Sequence, residues 1–112
     1  MSARPIVALL DLLGQRWTLR LLWELRDGTL SFRALRANAD AVSPSVLNAR
    51  LKDLRAHGFI TMGPSGYALT PRGAELAGLV GALNDCANAW AAADGGWPPD
   101  PPDAGASTPE RA

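Results

Sequence analysis

The sequence predicts a mainly α-helical domain that carries one small β-hairpin. Apolar side chains recur at three- and four-residue spacing along most of the chain, which indicates helices packed by one face. At residues 43–44 and 70–71 a capping hydroxyl stands directly before a proline, an arrangement typical of a helix start. The strand-like pieces FITM and YALT flank the turn residues 63–66, so they are expected to pair as a hairpin.

The first two helices are predicted at residues 5–13 and within QRWTLRLLWELRDG, residues 15–28. A proline opens the first segment, and apolar residues follow at helical spacing up to a glycine. The second segment is apolar nearly all round, with Arg20 and Glu24 as its polar seam. Such a helix is usually buried on several sides, so we place it at the centre of the domain.

A turn between two further helices follows. Residues 29–30 are long enough only for an isolated strand pair, and Ser31 caps a short helix with Phe32 and Leu35 inward. The turn at 39–42 then leads to a helix over 43–57, the hairpin 59–70 and a last helix. This order of elements is that of a winged helix-turn-helix. In that fold the helix that follows the turn, here 43–57, enters the major groove of DNA, and the hairpin is the wing.

The last helix is predicted to run from Thr70 to about Ala93. At 1.5 Å per residue it is roughly 33 Å long, which is more than so small a body can cover. An uncovered apolar stripe beside small residues favours a partner helix, and we expect a homodimer joined through terminal helices. The predicted dimer interface consists of Leu76, Leu79, Leu83, Cys86 and Trp90.

Charge is distributed unevenly although the formal net charge is +0. Residues 1–80 hold ten basic against six acidic side chains, a net +4, and residues 81–112 hold one against five, a net −4. A basic body favours nucleic acid as a partner. The Pro- and Gly-rich segment 94–112 has few apolar side chains, so we interpret it as a disordered tail behind a domain at 1–93.

The outer side of the 43–57 helix carries residue types that suit DNA. Leu47, Leu51 and Leu54 lie within about 60° of one another on a helical wheel and form its inner face. On the opposite half, asparagine and serine can bond base edges, and lysine and arginine can reach guanine or phosphate. We expect DNA contacts from Arg16, Arg33, Arg36, Ser43, Ser45, Asn48, Arg50, Lys52 and Arg55.

Within that set, Ser45, Asn48 and Lys52 are the predicted base readers. Three arginines outside the helix, Arg16, Arg33 and Arg36, are the predicted phosphate contacts. A merely solvated face is the alternative interpretation, because a charged outer face is the default of any surface helix. Arg50 sits at the edge of the inner face, where a structural ion pair is an alternative role.

Four short patterns occur along the chain in a fixed order. They are Gly-x-Arg-Trp-Thr, Gly-x₃-Phe-x₂-Leu, Ser-x₃-Leu-x₂-Arg-Leu-x₂-Leu-x₃-Gly and Tyr-x-Leu-Thr-x₂-Gly, carried by Gly14, Arg16, Trp17, Thr18, Gly28, Phe32, Leu35, Ser43, Leu47, Arg50, Leu51, Leu54, Gly58, Tyr67, Leu69, Thr70 and Gly73. Over about residues 6–90 the chain resembles the HxlR-type winged helix-turn-helix regulators of the MarR-like superfamily. The resemblance implies a dimeric bacterial transcription regulator whose terminal helices form the dimer.

Two departures from that family bear on function. The wing loop MGPSGY is short and has no basic residue, so wing contacts to DNA are expected to be reduced. Many relatives carry a cysteine just before the first helix, used in thiol or electrophile sensing, whereas this chain begins Met-Ser-Ala-Arg-Pro-Ile. That mode of sensing therefore has no residue there.

The tryptophans and the single cysteine are candidates for roles other than DNA binding. Trp17, Trp23 and Trp90 are candidates to line a cavity for a small-molecule effector, although Trp17 is also suited to the core. Cys86 is interpreted as a small core or interface residue, with a sensing role as the alternative. No nucleophile–base pair, phosphate loop or ligand cluster occurs, so we predict neither an enzyme nor a cofactor nor a metal site.

The sequence also bears on where the protein is found and on an alternative function. A single cysteine fits a reducing cytoplasm, and no apolar run is long enough to span a membrane. The rival function is a winged-helix module that binds a small molecule or a protein and has lost useful DNA affinity.

Overall fold

A computed structural model describes residues 4–94 and 97–99 of the protein. The elements are α1 (Pro5–Leu13), α2 (Thr18–Glu24), α3 (Phe32–Asn38), α4 (Pro44–Ala56), β1 (Ile60–Gly63), β2 (Gly66–Leu69) and α5 (Pro71–Asp94). This order confirms the predicted mainly α winged helix-turn-helix with one hairpin. The chain forms two compact units, one ending at Gly81 and the other beginning at Ala82.

Leucines from the first four helices make the centre of the first unit. Five of them, together with Ala39, are fully buried, and Leu25, Leu51 and Thr18 are 1% exposed. The three inner leucines predicted for the 43–57 helix all belong to this set: Leu47, Leu51 and Leu54. Because the inner side of α4 is held by packing, the opposite side of α4 faces outward by necessity.

The second helix is shorter than its sequence pattern indicates. The pattern placed its start near Gln15, but residues 14–17 form a turn and α2 begins at Thr18. Trp17, the residue before the helix, has φ 81°, a left-handed conformation that ends any continuous helical path. The apolar periodicity through Trp17 therefore reflects packing of the turn against the core, where Trp17 lies half-buried.

The hairpin is closed by only two residues, 64 and 65. Strands β1 and β2 are antiparallel, with Ile60 opposite Leu69 and Gly63 opposite Gly66. On its other side β2 exchanges two backbone hydrogen bonds with Leu30, at 3.0 and 2.8 Å through Tyr67, which confirms the predicted isolated strand pair. Gly66 has φ 128°, and a Cβ there would collide with the Leu30 carbonyl, so only glycine fits this contact.

Both ends of α4 are fixed as predicted. The hydroxyl of Ser43 accepts a hydrogen bond from the Val46 amide at 3.2 Å, as an N-cap does. Gly58 follows the helix with φ 82°, and the next amide, that of Phe59, bonds back to the Leu54 carbonyl at 2.9 Å. The start and the stop of the helix are therefore held independently of anything that covers its outer side.

The start of α5 is joined to the end of α4. The Thr70 hydroxyl donates to the Gly58 carbonyl at 2.6 Å and accepts from the Gly73 amide at 3.1 Å. Leu76 was predicted to lie in a dimer interface, but it is only 8% exposed and belongs to the core of the first unit. Its position on the first two turns of α5, beside the packed helices, accounts for the difference.

Farther along α5 the apolar side chains are exposed. Leu79 is 62% and Leu83 59% exposed, so the predicted uncovered stripe is present from the third turn onward. No helix among the described residues is long and apolar enough to cross a membrane.

Most of the predicted disordered tail, 94–112, lies outside the described residues. Within the second unit the rings of Trp90 and Trp97 meet edge to face, with centroids 5.4 Å apart. Helical spacing does not predict this contact, because it joins residues on either side of a Gly-Gly pair.

Candidate nucleic-acid interface

The outer side of α4 presents four polar side chains to solvent. Ser45, Asn48, Lys52 and Arg55 are all exposed, and they follow one another at three- or four-residue spacing along the helix. Within residues 4–94 and 97–99, none of these four side chains makes a hydrogen bond or ion pair with another part of the protein. Their donors and acceptors are therefore free for a ligand, as base and phosphate contacts require.

Arg50 is turned toward the protein and not toward that free face. Its Nε donates to the Arg16 carbonyl at 2.9 Å, and its guanidinium lies 3.9 Å from the Asp53 carboxylate. Arg50 therefore makes the structural contacts that the sequence indicated as the alternative to DNA binding. The same hydrogen bond fixes the α1–α2 turn beside α4.

The predicted phosphate-contacting arginines differ in how free they are. Arg16 is exposed on the turn that Arg50 binds, with its guanidinium 5.4 Å from the centre of the Trp17 ring. Arg33 is exposed on α3. Arg36 is half-buried, and its Nε donates to the Val42 carbonyl at 2.7 Å. Of the three, Arg36 is the one whose side chain is already engaged within the protein.

The turn between α3 and α4 has an unusual backbone. Asp40 and Ala41 both have φ 58°, in the left-handed region that L-residues occupy at a cost of roughly 1–2 kcal/mol each. Arg20 of α2 crosses to this turn and donates to the Asn38 carbonyl at 2.9 Å and to the Asp40 carboxylate at 3.1 Å. The turn is thus held from outside by a residue of a different helix.

Arg20 also pairs with Glu24 on its own helix, at 2.8 Å. The pKa of the Arg20 guanidinium is raised, chiefly by the hydrogen bond to Glu24 and further by Asp40, against the opposing effect of partial burial. The sequence identified Arg20 and Glu24 as a polar seam but could not show the reach to Asp40.

The wing contrasts with α4 in charge. Residues 60–69 contain no charged side chain, and the connecting loop consists of Pro64 and Ser65 alone. Thr61 and Met62 are exposed on β1, so the outward surface of the wing is small, neutral and partly apolar. The wing therefore offers no cation to a phosphate.

The tryptophans proposed as a ligand pocket have other neighbours. Trp17 packs against the core, and Trp23 lies under the Arg26 guanidinium at 3.8 Å. Trp90 is 50% exposed in the second unit, against Trp97. A cavity of about 380 Å³ lies elsewhere in the first unit and is lined by Leu9, Phe59, Arg72, Glu75, Leu76 and Leu79.

Cys86 is an exposed free thiol on α5, so it does not lie in the core, and its predicted place in a dimer interface stays a prediction. In the part of the chain that the structure describes, no group of three or more His, Cys, Asp and Glu side chains is placed to hold a metal ion. Among the described residues, the outer side of α4 combines exposed polar side chains with a helix whose inner side and ends are packed. The fold is a winged helix-turn-helix, and α4 is the helix that such folds place in the major groove of DNA.

Comparison with known proteins places this chain in a family. The profile described as HxlR-like helix-turn-helix matches residues 12–94. The HTH-type transcriptional regulator YvaP of Bacillus subtilis (strain 168) is 30% identical over 87 residues, which cover 71% of this chain and 81% of YvaP. The chain therefore belongs to the HxlR-like helix-turn-helix family and is a transcriptional regulator of that family.

Solved structures agree with this assignment. The protein ytfH from Salmonella typhimurium is 32% identical with a TM-score of 0.65, covering 77% of this chain and 83% of its own. A possible HxlR-family transcriptional factor from Thermoplasma volcanium GSS1 is 25% identical with a TM-score of 0.68, and the match covers 77% of this chain and 84% of that one. Quinone-bound YodB from B. subtilis is 24% identical with a TM-score of 0.69, and the match covers 78% of this chain and 98% of YodB. This likeness supports the fold.

Proposed function

We propose that the protein is a homodimeric regulator that binds a pseudo-palindromic DNA site through α4. The observation that carries the proposal is the outer side of α4, where exposed polar side chains are free while the inner side and both ends of the helix are fixed. A helix held in this way can be placed in a major groove without losing intramolecular contacts.

The roles follow from position and chemistry. Ser45 and Asn48 lie in the first two turns of α4, the part of such a helix that contacts base edges, and Lys52 follows one turn later. Asparagine can bond adenine at N6 and N7 together, which makes Asn48 the strongest candidate for base discrimination. Arg16, Arg33 and Arg55 are exposed cations at the edges of this surface, suited to phosphates.

A second copy of the chain is the partner that best accounts for the exposed apolar side chains. Ile6 and Leu10 on α1 are 52% and 58% exposed, and Leu79 and Leu83 on α5 are exposed to a similar extent. Apolar side chains on two helices in such numbers favour burial against another protein surface. In a dimer the two α4 helices would address half-sites one helical turn apart, about 34–36 Å.

The test is binding to the promoter DNA beside the protein's own gene, titrated against salt. Arg16 and Arg33 in two protomers would make four phosphate contacts. The logarithm of the binding constant should therefore fall with the logarithm of the salt concentration, with a slope of about −3.6 or steeper. Binding that is specific and has this slope supports the proposal. Absence of binding even at low salt contradicts it and favours the rival function, a winged-helix module without useful DNA affinity.

Oligomeric state is tested separately. Wild-type protein should elute and scatter light as a dimer, and Leu83→Glu should shift it to the monomer, because a carboxylate would be buried in the interface. Asn84→Glu, a change on the same turn, is the matched control and should leave the dimer intact. A wild-type protein that is monomeric at micromolar concentration contradicts the homodimer.

A small-molecule effector is the second partner that a specific observation favours. The cavity of about 380 Å³ has apolar walls and two charged residues, Arg72 and Glu75, and its size suits a small ligand. The YodB neighbour is a quinone-bound protein. None of the residues that line this cavity is a cysteine, so a ligand bound there would be held non-covalently.

A thermal shift with a simple benzoquinone tests this. A rise in Tm that persists in Cys86→Ser supports binding in the cavity. A shift that requires Cys86 indicates modification of the exposed thiol instead, and no shift in either protein contradicts a quinone effector.

A further inference from the structure

The turn that presents α4 depends on two arginines that lie on other helices or turns of the chain. Asp40 and Ala41 are consecutive non-glycine residues in the left-handed region, both at φ 58°. Consecutive residues of this kind persist only where surrounding contacts over-determine them. Here the surrounding contacts come from Arg20 on α2 and Arg36 on α3.

Arg20 uses all three of its nitrogen atoms within the protein. Nε donates to Glu24 at 2.8 Å, Nη1 to Asp40 at 3.1 Å and Nη2 to the Asn38 carbonyl at 2.9 Å. It therefore holds the last residue of α3 and the first left-handed residue of the turn at once. Because a guanidinium is planar and rigid, these bonds fix both groups relative to α2.

Arg36 closes the other side of the turn. Its Nε donates to the Val42 carbonyl at 2.7 Å, and its own carbonyl accepts from the Ala41 amide at 2.9 Å. Val42 is the residue before the α4 N-cap and is buried. The backbone that enters α4 is thereby tied to the last turn of α3.

We propose that Arg20 and Arg36 are positioning residues for DNA binding: they hold the α3–α4 turn and so set how α4 is presented, without contacting DNA themselves. The inference rests on the proposed function of α4. It changes the role that the sequence indicated for Arg36, which was predicted as a phosphate contact. A displacement of a reading helix by an ångström is enough to misalign its base contacts.

Electrostatics separates this role from a phosphate contact for Arg20. The single charge of Arg20 lies between the carboxylates of Glu24 and Asp40, so the three groups together carry one net negative charge. Such a cluster does not attract phosphate. Removing Arg20 should therefore leave the number of counterions released on DNA binding unchanged.

The first experiment compares Arg20→Met with Arg33→Ala in salt-titrated DNA binding. Arg20→Met should lower affinity roughly tenfold, equivalent to about 1.4 kcal/mol, for all sequences and with an unchanged salt slope. Arg33→Ala, the matched control, should flatten the slope by about 0.9 per protomer. The active fraction is counted by stoichiometric titration, so that unfolded protein is not mistaken for weak binding.

Rescue distinguishes positioning from a general loss of stability. Adding Ala41→Gly to Arg20→Met should restore most of the affinity, because glycine adopts φ 58° without a steric penalty and the turn then depends less on Arg20. Ala37→Gly, on the exposed side of α3, is the control and should restore none. A loss of affinity that Ala41→Gly leaves untouched overturns the proposal, as does a flattened slope in Arg20→Met.

A readout without DNA keeps the two proposals apart. Hydrogen exchange of the Ala41 amide should speed up at least about tenfold in Arg20→Met, while exchange of the Gly14 amide in the α1 cap stays the same. Unchanged exchange at Ala41 overturns the role of Arg20 whether or not DNA binds. Faster exchange in a protein that binds no DNA would instead show that Arg20 holds the α3–α4 turn, and it would contradict both the positioning role and the proposed function.

Discussion

Helix α4 and the wing are adjacent in the chain but differ in what they offer to DNA. The outer side of α4 carries Ser45, Asn48, Lys52 and Arg55 in the open, whereas residues 60–69 carry no charge at all. The wing is nevertheless closely packed against the domain, because Gly66 contacts the Leu30 carbonyl and Tyr67 is buried.

The difference indicates a division of work between the two regions. We propose that the wing stabilises the domain by pairing with Leu30, whereas α4 meets the DNA. Changes in the wing should then affect stability more than binding, and changes on the outer side of α4 should do the reverse.

The largest effect is expected for Gly66→Ala. The new Cβ would collide with the Leu30 carbonyl at a φ that alanine rarely adopts, so the free energy of unfolding should fall by about 3 kcal/mol. Urea denaturation measures the loss. Gly63→Ala is the control, because nothing lies within 4 Å of a Cβ there, and it should change stability little. Equal effects at the two glycines would contradict the structural role of the wing.

Asn48→Ala should have the next largest effect, and it should act on binding alone. Loss of the amide removes discrimination at one base pair of each half-site, by about 1–3 kcal/mol. Competition binding with site variants measures it, and stability should stay within about 0.5 kcal/mol because the side chain is exposed. If sequence preference is unchanged, Asn48 does not read a base.

Arg33→Ala is expected to weaken binding to every sequence alike. A phosphate contact carries no sequence information, so affinity falls by a common factor and the salt slope flattens by about 0.9 per protomer. Parallel titrations on specific and unrelated DNA distinguish this from a loss of discrimination. A change confined to the specific site would assign Arg33 to base reading.

Ser65→Ala at the tip of the wing should have the smallest effect, within about 0.5 kcal/mol for both stability and binding. Ser65→Lys sharpens the point, since a cation there should increase affinity and steepen the salt slope only if the tip lies near phosphate. A tenfold loss of affinity in Ser65→Ala would show that the wing contacts DNA directly.

Much of this arrangement could be predicted from the sequence because it is local. Capping residues and helical spacing identified α4 and its inner leucines, and two strand-like pieces around the turn residues 63–66 identified the hairpin. Each of these features depends on contacts within a few residues. Ser43 and Gly58 mark the ends of α4 in the sequence as they do in the structure.

The rest depends on contacts between residues far apart in the chain. Periodicity included Trp17 in a helix, although a left-handed turn occupies that position. Leu76 matched an interface stripe, but burial depends on which neighbours pack there. The span from Arg20 to Asp40 covers twenty residues, and no spacing rule predicts it. The side chains that position the candidate site were therefore less visible in the sequence than those that compose it.

We propose that α4, and not the wing, reads the DNA. Photo-crosslinking can test this, with a photoreactive amino acid introduced at residue 48 in one protein and at residue 65 in another, each bound to the same promoter DNA. We expect crosslinks to bases from position 48 and none to bases from position 65. Base crosslinks from position 65 together with none from position 48 would contradict it.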